Sequence, residues 1–180
     1  MFEADAETFR QAGIRIGADQ TVLERSLFEE TLAPFPLQLR NEALRMGRLY
    51  VLLHCFENSV KRLIKERLEQ AHAEKWWVDG VQGKIRSLAE SRKGASVKNS
   101  WLQGESADLL SFIDFGNLSQ IMVERWELFS DLIPSQHWLK QRFDELEKAL
   151  NFIAHSRSLS VSEFSRIEMY IADWNAQVGL

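Results

Sequence analysis

The stretch from Leu39 to Ala73, LRNEALRMGRLYVLLHCFENSVKRLIKERLEQAHA, decides the fold. Its apolar residues fall at Leu39, Ala43, Met46, Leu49, Tyr50, Leu53, Phe56, Val60, Leu63, Ile64 and Leu68. Gaps of three and four return to the same side of an α-helix, so these positions form one apolar stripe. Glu, Lys and Arg, all good helix formers, fill the other faces. At about 1.5 Å per residue such a helix is about 50 Å long, and Gly47 is where a bend or break is expected.

Working outward, two shorter helices are expected upstream, near Ala6–Gln11 and Thr21–Leu32, after which Pro34 and Pro36 enforce extended chain. Downstream come Trp76 and Trp77, then a helix over Val81–Ser91. The segment Ser91–Glu105, with Gly94, Ser96, Ser100 and Gly104, reads as a loop. A helix over Leu118–Ile133 places Leu118, Met122, Trp126 and Phe129 on one stripe, and Pro134 closes it. Ser135 is an N-cap for a helix to about Ala154 with Leu139, Phe143, Leu146, Leu150 and Ile153 as its core face. The polar run Ser156–Ser160 leaves that helix. Ser160 and Glu163 have capping-box spacing and open a last helix burying Phe164, Ile167, Ile171 and Trp174. No period-2 alternation is long enough for a strand. The fold class is all-α: a helical bundle with one long helix and a late helical hairpin. Residues 1–36 form a helical extension, and residues 37–180 form the main domain.

Composition agrees with a globular chain. The 180 residues suit one domain, and 45% apolar content with 9 Gly and 3 Pro excludes collagen-like, low-complexity and wholly disordered classes. A net charge of −4 argues against nucleic-acid binding through overall charge, while leaving room for a local patch. The single cysteine, Cys55, excludes an internal disulfide and a Cys-cluster zinc site. No apolar run reaches about 18 residues, so no membrane span is expected. The first residues mix acids and bases without a signal peptide's apolar core, and the expected address is the cytoplasm.

Among the four histidines, His54 and His72 share a helix face but stand about 27 Å apart, too far for one ligand. His137 falls in the first turn of a helix and reads as a surface residue. His155 stands out. Asp144, Lys148, Asn151 and His155 recur on one polar stripe of the same helix, and its C-terminus favours a protonated imidazole. The plain reading of Asn151 and His155 is a pair that satisfies itself and caps the helix.

Asn151, Ile153, Ala154 and His155, followed by a short loop and a final helix, resemble the late signature of HEPN domains (higher eukaryotes and prokaryotes nucleotide-binding), all-helical modules of RNA processing and microbial defence. Three other stretches are similar to the branch of that family fused to a nuclear transcript-surveillance endonuclease. They are Phe56-Glu57-Asn58-Ser59-Val60-Lys61-Arg62-Leu63-Ile64, the Trp76-Trp77 pair, and Phe115-Gly116-Asn117-Leu118 leading to Trp126 and Phe129. The resemblance covers roughly residues 50–175. It implies a homodimer whose late helices share a cleft, and a metal-independent ribonuclease reaction that needs no cofactor. In that reaction His assists attack of the RNA 2′-hydroxyl on the adjacent phosphate while Arg stabilises the developing charge. Carried onto this chain, the catalytic positions are His155, Asn151 and, at the longer spacing, Lys148. The usual arginine position is Leu150, and lysine lacks the two-pronged guanidinium. Arg157 could reach the site from the loop.

Residues 61–98 hold ten Lys/Arg and five Asp/Glu, net +5. Lys84, Arg86, Arg92, Lys93 and Lys98 cluster in the expected loop near Trp76, Trp77 and Trp101, so Lys84, Arg86, Arg92, Lys93 and Arg157 are the candidate RNA contacts. A solvated loop beside core tryptophans is the alternative. Three functional readings follow. The first is a dimeric HEPN protein that binds RNA and acts as an endoribonuclease in a toxin or phage-defence setting. The second is a non-catalytic HEPN module for dimerisation or for holding an antitoxin or a larger defence protein. The third is an unrelated helical adaptor.

Overall fold

The structure, a computed structural model, describes residues 30–97 and 108–179. The expected helix near Ala6–Gln11, most of that over Thr21–Leu32, and Lys98 and Trp101 lie outside them. The chain divides into two compact units, residues 1–45 and 46–180. In the first, residues 30–32 are helical. Pro34 lies in a turn rather than extended chain, since the Phe35 N–H donates to the Leu32 carbonyl at 3.0 Å. The Pro36 carbonyl accepts from the Arg40 N–H at 3.0 Å and so opens the next helix.

The long helix, α1, spans Leu37–His72. It is continuous through Gly47; one glycine in a long run of good helix formers does not stop propagation. Its buried residues are Leu49, Leu53, Phe56, Val60, Ile64 and Leu68. Leu39 and Tyr50, expected on that stripe, are each 50% exposed. After a 3₁₀ turn at Ala73–Lys75, α2 covers Trp76–Gly80 and α3 covers Gly83–Val97. The expected loop from Ser91 is therefore helix as far as Val97. Gly94 meets nothing in the space a Cβ would take, so it costs helix propensity and no packing.

A 3₁₀ turn at Leu109–Phe112 leads to α4, Phe115–Glu124, whose N-cap Asp114 accepts from the Asn117 backbone N–H. The expected helix to Ile133 stops at Glu124 and continues as a 3₁₀ turn, Trp126–Leu128. Tertiary contacts end it. The Arg125 side chain donates to the carbonyls of Asp79 and Gly80, and Arg67 of α1 donates to the Leu128 carbonyl and to Asp131. Last come α5, Gln136–Ala154, and α6, Val161–Val178. The Ser135 hydroxyl accepts from the Trp138 N–H, and the Ser160–Glu163 capping box is complete.

Phe56 joins four helices of the second unit. Its ring stacks on Phe115 of α4 at 5.7 Å and meets the edges of Phe143 of α5 at 5.6 Å and Trp174 of α6 at 5.4 Å. Such pairs prefer offset or edge-to-face geometry and add about 0.5–1.5 kcal/mol each beyond burial. Among the described residues no helix is long and apolar enough to cross a membrane.

Candidate RNA-directed face of the late helical hairpin

The exposed side of α5 follows from its buried side. Leu139, Phe143, Leu146 and Ala149 face the core, so Asp144, Lys148, Asn151 and His155 face water, and all four are exposed. Leu150 and Ile153, expected in the core, are only half-buried and pack against its margin, while Ala149 takes the inward position. Lys148 Nζ donates to Asp144 Oδ2 at 2.6 Å, which raises the lysine's pKa. Asn151 and His155 do not pair. The His155 backbone N–H donates to the Asn151 carbonyl, and neither side chain has a hydrogen-bond partner among the described residues. The helix stops because Ser156 takes a positive φ of 56° and the Arg157 N–H returns to the Phe152 carbonyl. That turn lays the Arg157 guanidinium over the Phe152 ring at 4.5 Å, close to the helix end.

Lys84, Arg86, Arg92 and Lys93 are helical rather than in a loop. By helix geometry Arg86 and Lys93, seven apart on α3, share one side, while Lys84 lies on the opposite one. Arg92 is engaged in packing. Its two guanidinium nitrogens donate to the Phe112 carbonyl and to Asp114 Oδ2, both at 3.0 Å. Burial raises the Asp114 pKa, but hydrogen bonds from Arg92 and Asn117 outweigh it and hold that carboxyl below the ordinary range. Trp76 and Trp77 are half-buried and meet edge to face at 5.5 Å, with Lys65 over Trp76 and paired to Asp108. They therefore fall between a stacking platform and a sealed core.

Two features escaped the sequence reading. Glu147 comes close to Gly116 in the first turn of α4; burial and then Asp114 and Asp144 raise its pKa, while the Gly116 N–H opposes them. On α1 the exposed His54 ring accepts from Asn58 Nδ2 at 3.2 Å and stacks with Tyr50 at 6.1 Å. The His54–Asn58 spacing of four was a legible signal for the second. The first needed two helices brought together. Among the described residues no group of three or more His, Cys, Asp or Glu is placed to hold a metal ion.

A family model of Swt1-like HEPN domains matches residues 52–179. The chain belongs to the Swt1-like HEPN family. The match runs from α1 through α6 of this HEPN domain and includes the α5 face with Asn151 and His155. No curated protein and no solved structure is similar enough to match it.

Proposed function

We propose that this HEPN protein acts on RNA as a homodimer, in a toxin or phage-defence setting, with the α5 stripe facing its counterpart across a two-fold axis. The observation that carries the reading is that Asn151 and His155 stand exposed and unpartnered among the described residues, on a polar face no bundle core would require. A C2 contact brings the same patch of each copy together, which would place two such pairs at one cleft. There the His155 imidazole takes the proton of a 2′-hydroxyl, that oxygen attacks phosphorus, and the bond to the 5′-oxygen breaks as that oxygen takes a proton from the second imidazole or from water. Charge gathers on the phosphate oxygens, where a cation is needed. Lys148 offers one but is tied to Asp144. Leu150, in the arginine position, offers none. Weak or absent cleavage follows.

The expected result, with labelled RNA in EDTA, is weak or no cutting by the natural protein. Any cutting is lost in His155→Ala and is equal or greater in a folded Leu150→Arg variant. Robust cutting that survives His155→Ala would move the chemistry elsewhere. The packing of Leu150 and the Lys148–Asp144 pair favour a second reading, a non-catalytic module that binds an antitoxin or a larger defence protein. RNA inert to all three proteins, with no RNA binding at low salt, would select it.

A further inference from the structure

A groove of about 600 Å³, well within small-molecule size, lies between α4 and α5 and includes neither Asn151 nor His155. Each of its ends carries a carboxylate, and Lys140 and His137 also line it toward the Glu124 end. At one, Glu147 approaches Gly116 so closely that its Oε2 is 3.4 Å from the place a Gly116 Cβ would take, and Asp144 sits one turn earlier on α5. At the other is Glu124, about 12 Å further along α4. Ser119 lies between them. It lines the groove, is only 7% exposed, and its hydroxyl has no hydrogen-bond partner among the described residues. Phe143 and Val123 supply apolar wall.

The charges of the groove do not cancel. His137 and Lys140 also line it, but among the described residues neither Glu124 nor Glu147 has a Lys or Arg partner at ion-pair distance. Glu124 accepts only from the Gln120 amide at 3.0 Å. The Asp144 carboxylate reaches Lys148, and the positive N-terminus of α4 is matched by its N-cap Asp114. Glu147 is left as a carboxylate whose charge is opposed by burial and by Asp114 and Asp144, a strain that an incoming cation relieves. Carboxylates set about 12 Å of helix rise apart along α4 are poorly placed to share one metal ion. They suit a chain carrying separated charges.

We propose that the α4–α5 groove binds a linear polyamine, with one terminal ammonium group at Glu147 and Asp144, the other at Glu124, and the Ser119 hydroxyl accepting from an amine N–H between them. The methylenes then lie against Phe143 and Val123. This site shares Asp144 with the α5 stripe but uses neither Asn151 nor His155, so its occupancy is read separately from RNA cleavage.

Calorimetric titration of the full chain with spermidine at low ionic strength tests it. The expected result is saturable one-to-one binding, weakened about tenfold by Glu147→Gln and by Glu124→Gln, as loss of a charge-assisted hydrogen bond implies. Ser119→Ala weakens it less, and His155→Ala leaves it unchanged even if no RNA is ever cut. Asp173→Asn, an exposed carboxylate on α6, is the control for diffuse charge. No saturable binding, or an equal loss in Asp173→Asn, would overturn the proposal. So would tighter binding of an oligolysine peptide in competition with spermidine, which would make the groove a protein-docking site.

Discussion

Glu147 shows how one residue can carry opposing demands. Its pKa is raised, so the folded protein keeps that proton to higher pH than the unfolded chain does. Stability from this group therefore falls as pH rises through the interval between the ordinary carboxylate value and the raised one, and stays low above it. Glu147→Gln keeps the shape without the charge. Thermal melts should show the variant more stable than the natural protein at neutral pH, with the difference vanishing in acid; a pH-independent difference would refute the account. Leu150 is the other informative residue. Because it is half-buried at the margin rather than sealed, an arginine there can extend its head to water. Leu150→Arg should cost on the order of 1–2 kcal/mol in chemical denaturation and leave a folded protein.

At the scale of elements, caps and crossing contacts set the boundaries. The Ser160–Glu163 capping box holds the start of α6, and Ser160→Ala should cost about 1 kcal/mol. Helix α3 has two roles to separate. Arg92 ties it to the α4 N-cap, so Arg92→Glu sets a carboxylate against Asp114 and should lower stability. The RNA test thus belongs to Lys84, Arg86 and Lys93. The triple change to Glu should weaken single-stranded RNA binding and flatten its salt dependence, as a phosphate-contacting surface requires. Unchanged binding would put the contact elsewhere, with Arg157 near the end of α5 the next candidate.

For the whole molecule, the aromatic cross-link at Phe56 ties α1 to α4, α5 and α6. Phe56→Ala removes a ring that touches Phe115, Phe143 and Trp174 and should cost about 3–5 kcal/mol. Assembly is tested by light scattering at micromolar concentration. The expected mass is twice the 20.9 kDa of one chain, and a clean monomer would remove the shared cleft.

Local chemistry let the sequence by itself determine most of this fold. The three-and-four spacing of α1 from Leu49 to Leu68, the Ser135 cap, the end of α5 near Ala154 and the capping box of α6 all depend on neighbours within a turn or two, and each stands where the sequence puts it. Asn151 and His155 were legible as exposed residues for the same reason, since the polar side of an amphipathic helix is written in its period. What required the tertiary structure was everything set by distant partners. α4 ends at Glu124 because Arg125 and Arg67 reach across to other segments, and no nearby residue signals it. α3 runs through Gly94, and with it Arg92 passes from a candidate RNA contact to a strut against Asp114. The acidic groove exists only because α4 and α5 lie together, bringing Gly116, Ser119 and Glu124 against Asp144 and Glu147. Periodicity specifies which face of a helix is buried; packing alone decides which two faces meet.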